Sequence, residues 1–141
     1  MHGQCLCGAV SFQAEPPKPA MHACHCEMCR RWTGSALLAV MVPADALRLT
    51  GEEHVRRLQS SDWAERAWCD RCGSGLWYRV TAEGPAQGQY HMPAGLFDEL
   101  DRFELRSEIY IDRKPASYAF AGERKRLTKA EVEAEVGGGG S

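Results

Sequence analysis

The chain has 141 residues, of which 44% are hydrophobic; this is enough for one sizeable core and too little for a second independent domain. Its 17 Lys and Arg residues against 19 Asp and Glu residues give a formal charge of -2, so the basic surface of a nucleic-acid or anionic-membrane binder is missing. No apolar run approaches the roughly 18 residues that a membrane-spanning helix needs. We therefore expect neither a nucleic-acid nor a membrane partner.

The hydrophobic pattern along the chain predicts a mainly β fold. Apolar residues recur with period two more often than with helical spacing, and Gly- and Pro-rich turns separate them. In chain order, strands are predicted over 9–12, 36–42, 55–58, 76–80 and 109–111. A short helix is predicted over 27–32 and ended by Gly34, and a second over 128–135 is favoured by propensity.

The two ends of the chain set the predicted domain limits. Residues 1–136 are assigned to a single domain, and 137–141, Gly-Gly-Gly-Gly-Ser, are typical of an engineered flexible linker. The start, Met1-His2-Gly3-Gln4, lacks the apolar stretch of a secretory signal. We therefore expect a reduced, cytoplasmic protein.

Seven cysteines dominate the motif content of the chain. They fall into three tight clusters, a spacing that is typical of thiolate metal sites: Cys5-x-Cys7, Cys24-x-Cys26-x-x-Cys29 and Cys69-x-x-Cys72. A structural zinc takes four protein ligands, whereas a catalytic zinc takes three and keeps one open position. Seven cysteines therefore predict two Zn²⁺ ions per chain, one in a closed site and one in an open site.

Local spacing predicts how the cysteines divide. A Cys-x-Cys or Cys-x-x-Cys turn offers two sulfurs to one ion and needs a second, distant pair. The first and last clusters are each followed by glycine, Gly8 and Gly73, which suits the left-handed backbone of such turns. We therefore predict a closed structural site of four cysteines: Cys5, Cys7, Cys69 and Cys72. The remaining three form an open, catalytic site: Cys24, Cys26 and Cys29.

Two other interpretations of the cysteines compete with zinc. Disulfides are disfavoured by the odd count, by the missing secretory signal and by pairs too close together to bridge. An iron-sulfur cluster on Cys24, Cys26 and Cys29 is a weaker rival, since such clusters usually take four cysteines. Zinc is the interpretation that we adopt.

The cysteine clusters with their flanking residues resemble a known family. Segments 3–10, 24–35 and 68–74 are similar, in order and spacing, to the glutathione-dependent formaldehyde-activating enzyme family, which also contains the centromere protein V domain. Segments 93–98 and 108–118 resemble its later motifs, although Glu108 and Ser117-Tyr118 depart from them. The resemblance implies a single antiparallel, β-tent-like domain with zinc knuckles, and a second zinc beside a cleft for a thiol substrate.

The implied function is a zinc-dependent carbon-sulfur lyase or synthase. A substrate thiol such as glutathione would bind the open zinc as a thiolate and add to a small aldehyde such as formaldehyde. The alternatives are a noncatalytic zinc-scaffolded binding module and a family member acting on another thiol or carbonyl compound. A metal store is a poorer idea, because it would not need the long β scaffold after Cys72.

Cations near the three cysteines are the candidate ligands for the carboxylates of glutathione. Arg30 and Arg31 follow Cys29 directly, and Lys114 is a more distant candidate. For each of them the alternative is an ordinary surface charge. His25 is a candidate proton shuttle, with an exposed or backbone-bonded imidazole as the alternative.

Other charged and aromatic residues have simpler expected roles. The basic run 124–126 is interpreted as solvated surface. The aromatic residues Trp32, Trp77 and Tyr110 are expected to form core or cleft wall.

Overall fold

Short strands make up most of the fold in the computed structural model, which describes residues 1–136; the predicted linker 137–141 lies outside the described residues. The strands are β1 (His2–Gln4), β2 (Ser11–Ala14), β3 (Ala20–Cys24), β4 (Leu37–Val42), β5 (Leu47–Thr50), β6 (Val55–Gln59), β7 (Ala64–Cys69), β8 (Gly75–Val80), β9 (Tyr90–Pro93), β10 (Glu104–Ile109) and β11 (Lys125–Leu127). The two α-helices are α1 (Glu27–Thr33) and α2 (Lys129–Val136). No helix within the described residues is long and apolar enough to cross a membrane.

The strands form two sheets. A three-stranded sheet has the order β1-β2-β5, and an eight-stranded sheet has the order β11-β10-β3-β4-β9-β8-β7-β6. Strand β10 runs parallel to both β3 and β11, and the other described pairs are antiparallel. No tight hairpin joins β10 to either neighbour, so nothing local imposes the antiparallel direction. The predicted mainly β class is confirmed, and the large sheet is mixed.

Most of the predicted elements are present. The predicted strands 36–42, 55–58 and 76–80 correspond to β4, β6 and β8, and the predicted helix is α1, ended by Gly34 in the left-handed region at φ 91°. The predicted strand 109–111 is wrong beyond Ile109. Tyr110 takes a left-handed conformation (φ 55°, ψ 41°), and its carbonyl accepts a hydrogen bond from the Arg113 N–H at 2.9 Å. The chain turns there instead of continuing the strand.

The two faces of the large sheet carry different chemistry, because successive strand residues point to opposite sides. One face is the main core, which includes Val40, Val42, Trp77 and Met92 and packs against the small sheet. The strand register places a second set on the opposite face: His22, Cys24, Arg66, Tyr78 and His91. Val132 of α2 packs into an apolar cluster with the cysteines on that face. This opposite face positions the candidate site.

Candidate metal centres and active site

The four cysteines of the predicted closed site come together, and we call them the four-cysteine site (Cys5, Cys7, Cys69 and Cys72). Their sulfurs all lie within 4.8 Å of one another. Cys7 Sγ lies 3.8 Å from Cys5 Sγ and 3.9 Å from Cys69 Sγ. A tetrahedral zinc with Zn–S bonds of about 2.3 Å places its sulfurs about 3.8 Å apart. The sulfur spacing therefore fits a zinc ion, and it is far too wide for disulfides, whose sulfurs lie about 2.05 Å apart.

The backbone of both knuckles supports this arrangement. Gly8 and Gly73 take left-handed conformations at φ 79° and 77°, as predicted. Backbone N–H groups point at the sulfurs: Val10 donates to Cys5 Sγ and Arg71 to Cys69 Sγ, each at 3.4 Å. Such hydrogen bonds favour the thiolate form that a metal needs.

The remaining cysteines also converge, and we call them the three-cysteine site (Cys24, Cys26 and Cys29). Cys24 ends β3, Cys26 caps the start of α1, and Cys29 lies within α1. All three are buried, their sulfurs lie within 4.8 Å of one another, and Cys26 Sγ accepts a hydrogen bond from the Cys29 N–H at 3.3 Å. Helix α1 therefore begins at one candidate metal ligand and places the next one about a turn further on.

The three thiols can all be deprotonated at the same time only if a cation lies beside them. Hydrogen bonds with Cys26 and Cys29, followed by burial, raise the pKa of Cys24 far above its ordinary value. Binding a metal displaces these shared protons, because the ligands must be thiolates. A soft, all-sulfur donor set suits zinc at both sites.

A buried ion-pair network holds the loop between Cys24 and Cys26. The His25 backbone N–H donates to the Ile109 carbonyl at 3.0 Å, and the ring Nε2 lies 2.8 Å from Glu108 Oε1. The other oxygen of Glu108 accepts from Arg124 Nη1 and Arg126 Nε, each at 2.9 Å. Although burial opposes ionisation, hydrogen bonds from His25, Arg124 and Arg126 hold the pKa of Glu108 below its usual range.

This network corrects two expectations from the sequence. His25 is 2% exposed and is bonded to a carboxylate, so it is neither an exposed histidine nor one bonded through its backbone alone. The basic run 124–126 is not simply solvated surface, because the Arg124 side chain is only 8% exposed and pairs with Glu108. The reason is tertiary: β11 pairs beside β10 and brings the arginines to a carboxylate that is distant in sequence.

Arg66 is the residue at this site that sequence reasoning missed. It is 4% exposed, its Nη2 lies 3.8 Å from Cys29 Sγ, and its guanidinium stacks on two rings, 4.9 Å from the Trp32 centroid and 5.5 Å from that of Tyr78. The only signal in the sequence is an arginine within a short apolar strand. That pattern is equally typical of an edge strand with an exposed charge.

A cavity of about 250 Å³ reaches the three-cysteine site at Cys24. Within it, His22 Nδ1 lies 2.6 Å from Ser107 Oγ, and the Tyr78 and His91 rings stack with centroids 4.6 Å apart. Burial, helped by the charge of His22, lowers the pKa of His91 to about 4. The rest of the lining is apolar wall with one ion pair at the edge: Leu37, Ala39, Ile109, Leu127, Lys125 and Glu135.

Comparison with known proteins identifies the family. The family model described as glutathione-dependent formaldehyde-activating enzyme matches residues 1–113. The chain belongs to this family. It is 32% identical over 130 residues to an uncharacterized lyase of Schizosaccharomyces pombe, and the alignment covers 92% of each chain. It is 35% identical over 85 residues to a protein of Halomonas elongata that is named, provisionally, a glutathione-dependent formaldehyde-activating enzyme, covering 55% of this chain and 54% of that one.

A solved structure shows the same fold. A crystal structure of a Rhodobacter sphaeroides protein superposes with a TM-score of 0.60 at 23% identity, covering 70% of this chain and 89% of the other. The family match and the relatives together support a lyase-type enzyme.

The cations predicted to bind substrate lie near the surface. Arg30 and Arg31 are exposed on α1, and Arg31 Nε pairs with Glu27 Oε1 at 2.9 Å. Lys114 donates to the carbonyls of its own loop, including that of Pro115 at 2.7 Å. The cation that lines the cavity is Lys125. A substrate role for Arg30, Arg31 and Lys114 stays a prediction.

Proposed function

We propose that this protein reversibly joins a thiol to a small aldehyde, as a carbon-sulfur lyase that takes zinc in both cysteine sites. Glutathione and formaldehyde are the proposed substrates, by analogy with the family name and with the Halomonas relative. The observation that carries the proposal is the three-cysteine site itself: three buried sulfurs within 4.8 Å of one another beside a cavity that reaches Cys24. Since zinc takes four ligands, a substrate sulfur can complete the set.

Zinc at this site would supply charge that lowers the pKa of a substrate thiol, so that it reacts as a thiolate near neutral pH. The cavity supplies the room. At about 250 Å³ it is smaller than the roughly 300–1,000 Å³ pockets that enclose drug-sized ligands. The thiol end of the substrate and a one-carbon aldehyde would enter, and the rest of a tripeptide would stay outside.

The surface around the cavity can hold that outer part. Glutathione carries two carboxylates, and Lys125 lies at the cavity with a side chain that is 63% exposed. Arg30, Arg31 and Lys114 are the further candidates that the sequence predicts. A guanidinium pairs with a carboxylate through two parallel hydrogen bonds, so an arginine would give orientation as well as charge.

Titratable groups in the cavity favour an enzyme over a binding scaffold. His91 is held neutral at physiological pH because burial lowers its pKa to about 4, and it stacks on Tyr78. His22 lies in the same cavity, and burial lowers its pKa as well. Groups with shifted pKa values that face one cavity are concentrated at active sites, whereas a zinc-scaffolded docking module has no need of them.

Cobalt substitution tests the proposal. With Co²⁺ at the three-cysteine site, glutathione should change the sulfur-to-metal charge-transfer spectrum, and S-methylglutathione should not, because its thioether cannot become a thiolate. The zinc protein should also speed the equilibration of glutathione with formaldehyde. Glutathione that binds without changing the spectrum would exclude direct capture of the thiolate. A thiol that stabilises the protein against heat where glutathione does not would redirect the assignment to that thiol.

A further inference from the structure

The charge of Arg66 is buried without a carboxylate to balance it. The residue is 4% exposed, and among residues 1–136 it forms no ion pair with Asp or Glu. Burying an unpaired charge is costly, so such groups are kept near an anion. Three thiolates around a divalent ion leave one net negative charge, and Arg66 Nη2 lies 3.8 Å from Cys29 Sγ. The guanidinium is therefore placed for the metal-loaded state of the three-cysteine site.

One nitrogen of the Arg66 guanidinium lacks a hydrogen-bond partner among the described residues. Arg66 Nη1 is buried and has no hydrogen-bond partner within the described part of the chain, although such donors in folded proteins are nearly always satisfied. The guanidinium cannot easily swing away, because it stacks on Trp32 and Tyr78. Trp32 is itself fixed, because it packs closely over Gly75, where an added Cβ would lie 3.0 Å from the ring. The donor is rigid and its partner is missing, as expected where a ligand supplies the acceptor.

We propose that Arg66 Nη1 binds the aldehyde oxygen, so that Arg66 is the oxyanion-binding residue of the three-cysteine site. This inference rests on the proposed function. In the addition, the substrate thiolate donates an electron pair to the carbonyl carbon and a carbon-sulfur bond forms. The C=O π pair moves to oxygen, which becomes an alkoxide and then takes a proton from water. Overall, RSH and H₂C=O give RS–CH₂–OH, and the lyase direction is the reverse.

The position of Arg66 Nη1 favours the aldehyde oxygen as its hydrogen-bond acceptor over a carboxylate of the substrate glutathione. Nη1 and Nη2 belong to one planar group, and Nη2 faces the sulfur of Cys29. A substrate sulfur that joined the three cysteines next to Cys29 would therefore come within reach of the same guanidinium. In the adduct only one carbon separates the oxygen from that sulfur, whereas in glutathione many more bonds separate the thiol sulfur from either carboxylate, which belong to the glutamyl and glycyl residues. A donor aimed where negative charge develops in a water-poor site is among the most effective catalytic devices.

Substitution at Arg66 tests the assignment. Arg66→Lys keeps the positive charge, so zinc content and glutathione affinity should stay within about threefold of wild type. It loses the planar guanidinium and its second donor nitrogen, Nη1. The kcat for thiol-aldehyde exchange should fall about 100-fold, as on loss of one oxyanion donor. Arg57→Lys is the matched control, since Arg57 also stacks on a tryptophan, Trp77, but on the opposite face of the sheet. It should behave like wild type. An Arg66→Lys enzyme with unchanged kcat would overturn the inference, as would a loss of glutathione affinity that matches the loss of turnover.

A readout without turnover separates this inference from the proposed function. Formate, a small oxyanion, should shift the ¹⁵N guanidinium resonance of Arg66 in the zinc-loaded protein, and the assignment of that resonance is checked by its loss in Arg66→Met. If formate shifts this resonance and the wild type shows no thiol-aldehyde activity, the oxyanion subsite stands and the proposed substrates are wrong. If the wild type is active and formate leaves the resonance unchanged, the role of Arg66 is wrong and the proposed function stands. Failure of both measurements would overturn both.

Discussion

The buried carboxylate of Glu108 gives the sharpest test of what holds the three-cysteine loop. Its side chain is 2% exposed and accepts hydrogen bonds from His25 at 2.8 Å and from Arg124 and Arg126 at 2.9 Å each. Glu108→Gln keeps the size and shape of the side chain and removes its charge. The substitution also turns one acceptor oxygen into an NH₂ donor, which faces donors on the arginine side and can be satisfied on the other side only if the His25 ring accepts at Nε2.

The expected cost follows from the burial of the partners. Arg124 is only 8% exposed at its side chain, so the substitution leaves a nearly buried guanidinium without an ionised partner. Breaking a buried ion pair from one side typically costs about 3–5 kcal/mol. Because the glutamine amide oxygen still accepts one hydrogen bond, we expect the free energy of unfolding to fall by about 3 kcal/mol, the lower end of that range.

Urea unfolding of the zinc-loaded protein measures this loss, and the metal supplies a second readout. Since His25 lies between Cys24 and Cys26, a chelator should remove the metal of the three-cysteine site faster from Glu108→Gln than from wild type, with the four-cysteine site unaffected. Glu123→Gln is the control, because Glu123 also pairs with Arg126 but is 96% exposed. It should change neither quantity. An equal effect of the two substitutions, or acceleration at both metal sites alike, would refute this account of the network.

Three further predictions concern metal and pH. Two zinc ions should copurify with each chain, and a chelator should remove the one at the three-cysteine site first because a cavity reaches it, as metal analysis during chelation will show. Cys69→Ser should unfold or severely destabilise the domain, whereas Cys26→Ser should keep the fold and lose thiol binding; equal melting curves for the two variants would contradict the division of roles. Since the folded pKa of His91 is about 4 against 6.5 ordinarily, its contribution of about 3 kcal/mol to the free energy of unfolding is present above pH 6.5 and lost toward pH 4. His91→Phe keeps a stacking ring on Tyr78 and should flatten that part of the pH profile of unfolding.

The two cysteine sites were predictable from sequence because the spacing that brings their sulfurs together is local. Two cysteines separated by one or two residues are forced onto one ion by the turn itself, and the glycine that follows permits the left-handed backbone at Gly8 and Gly73. The division into four and three followed from the coordination number of zinc together with the spacing of the clusters. Helix α1 was predictable for a similar reason, since its cap and its terminating Gly34 lie within the same short segment.

The partners of those ligands were not predictable, because they depend on strand order. Glu108 reaches His25 only because β10 pairs in parallel with β3, and a parallel pair leaves no hairpin signal in the sequence. Arg66 reaches Cys29 only because β7 and α1 meet over the same face of the sheet. A charged residue inside a strand does not reveal whether it faces solvent or a metal.

Strand β7 ties the two cysteine sites together. In the strand order, β3 and β7 are four intervals apart, and in a flat sheet strands spaced about 4.8 Å apart would lie about 19 Å from each other. Yet Arg66 of β7 is 3.8 Å from the sulfur of Cys29, which lies within 4.8 Å of that of Cys24 on β3. The long Arg66 side chain and helix α1, which carries Cys29, bridge that separation. Cys69 ends β7 three residues after Arg66, so the four-cysteine site anchors the strand that carries the proposed oxyanion donor. Loss of metal from the four-cysteine site should thus disturb the three-cysteine site, whereas the three-cysteine site can empty while β7 stays anchored.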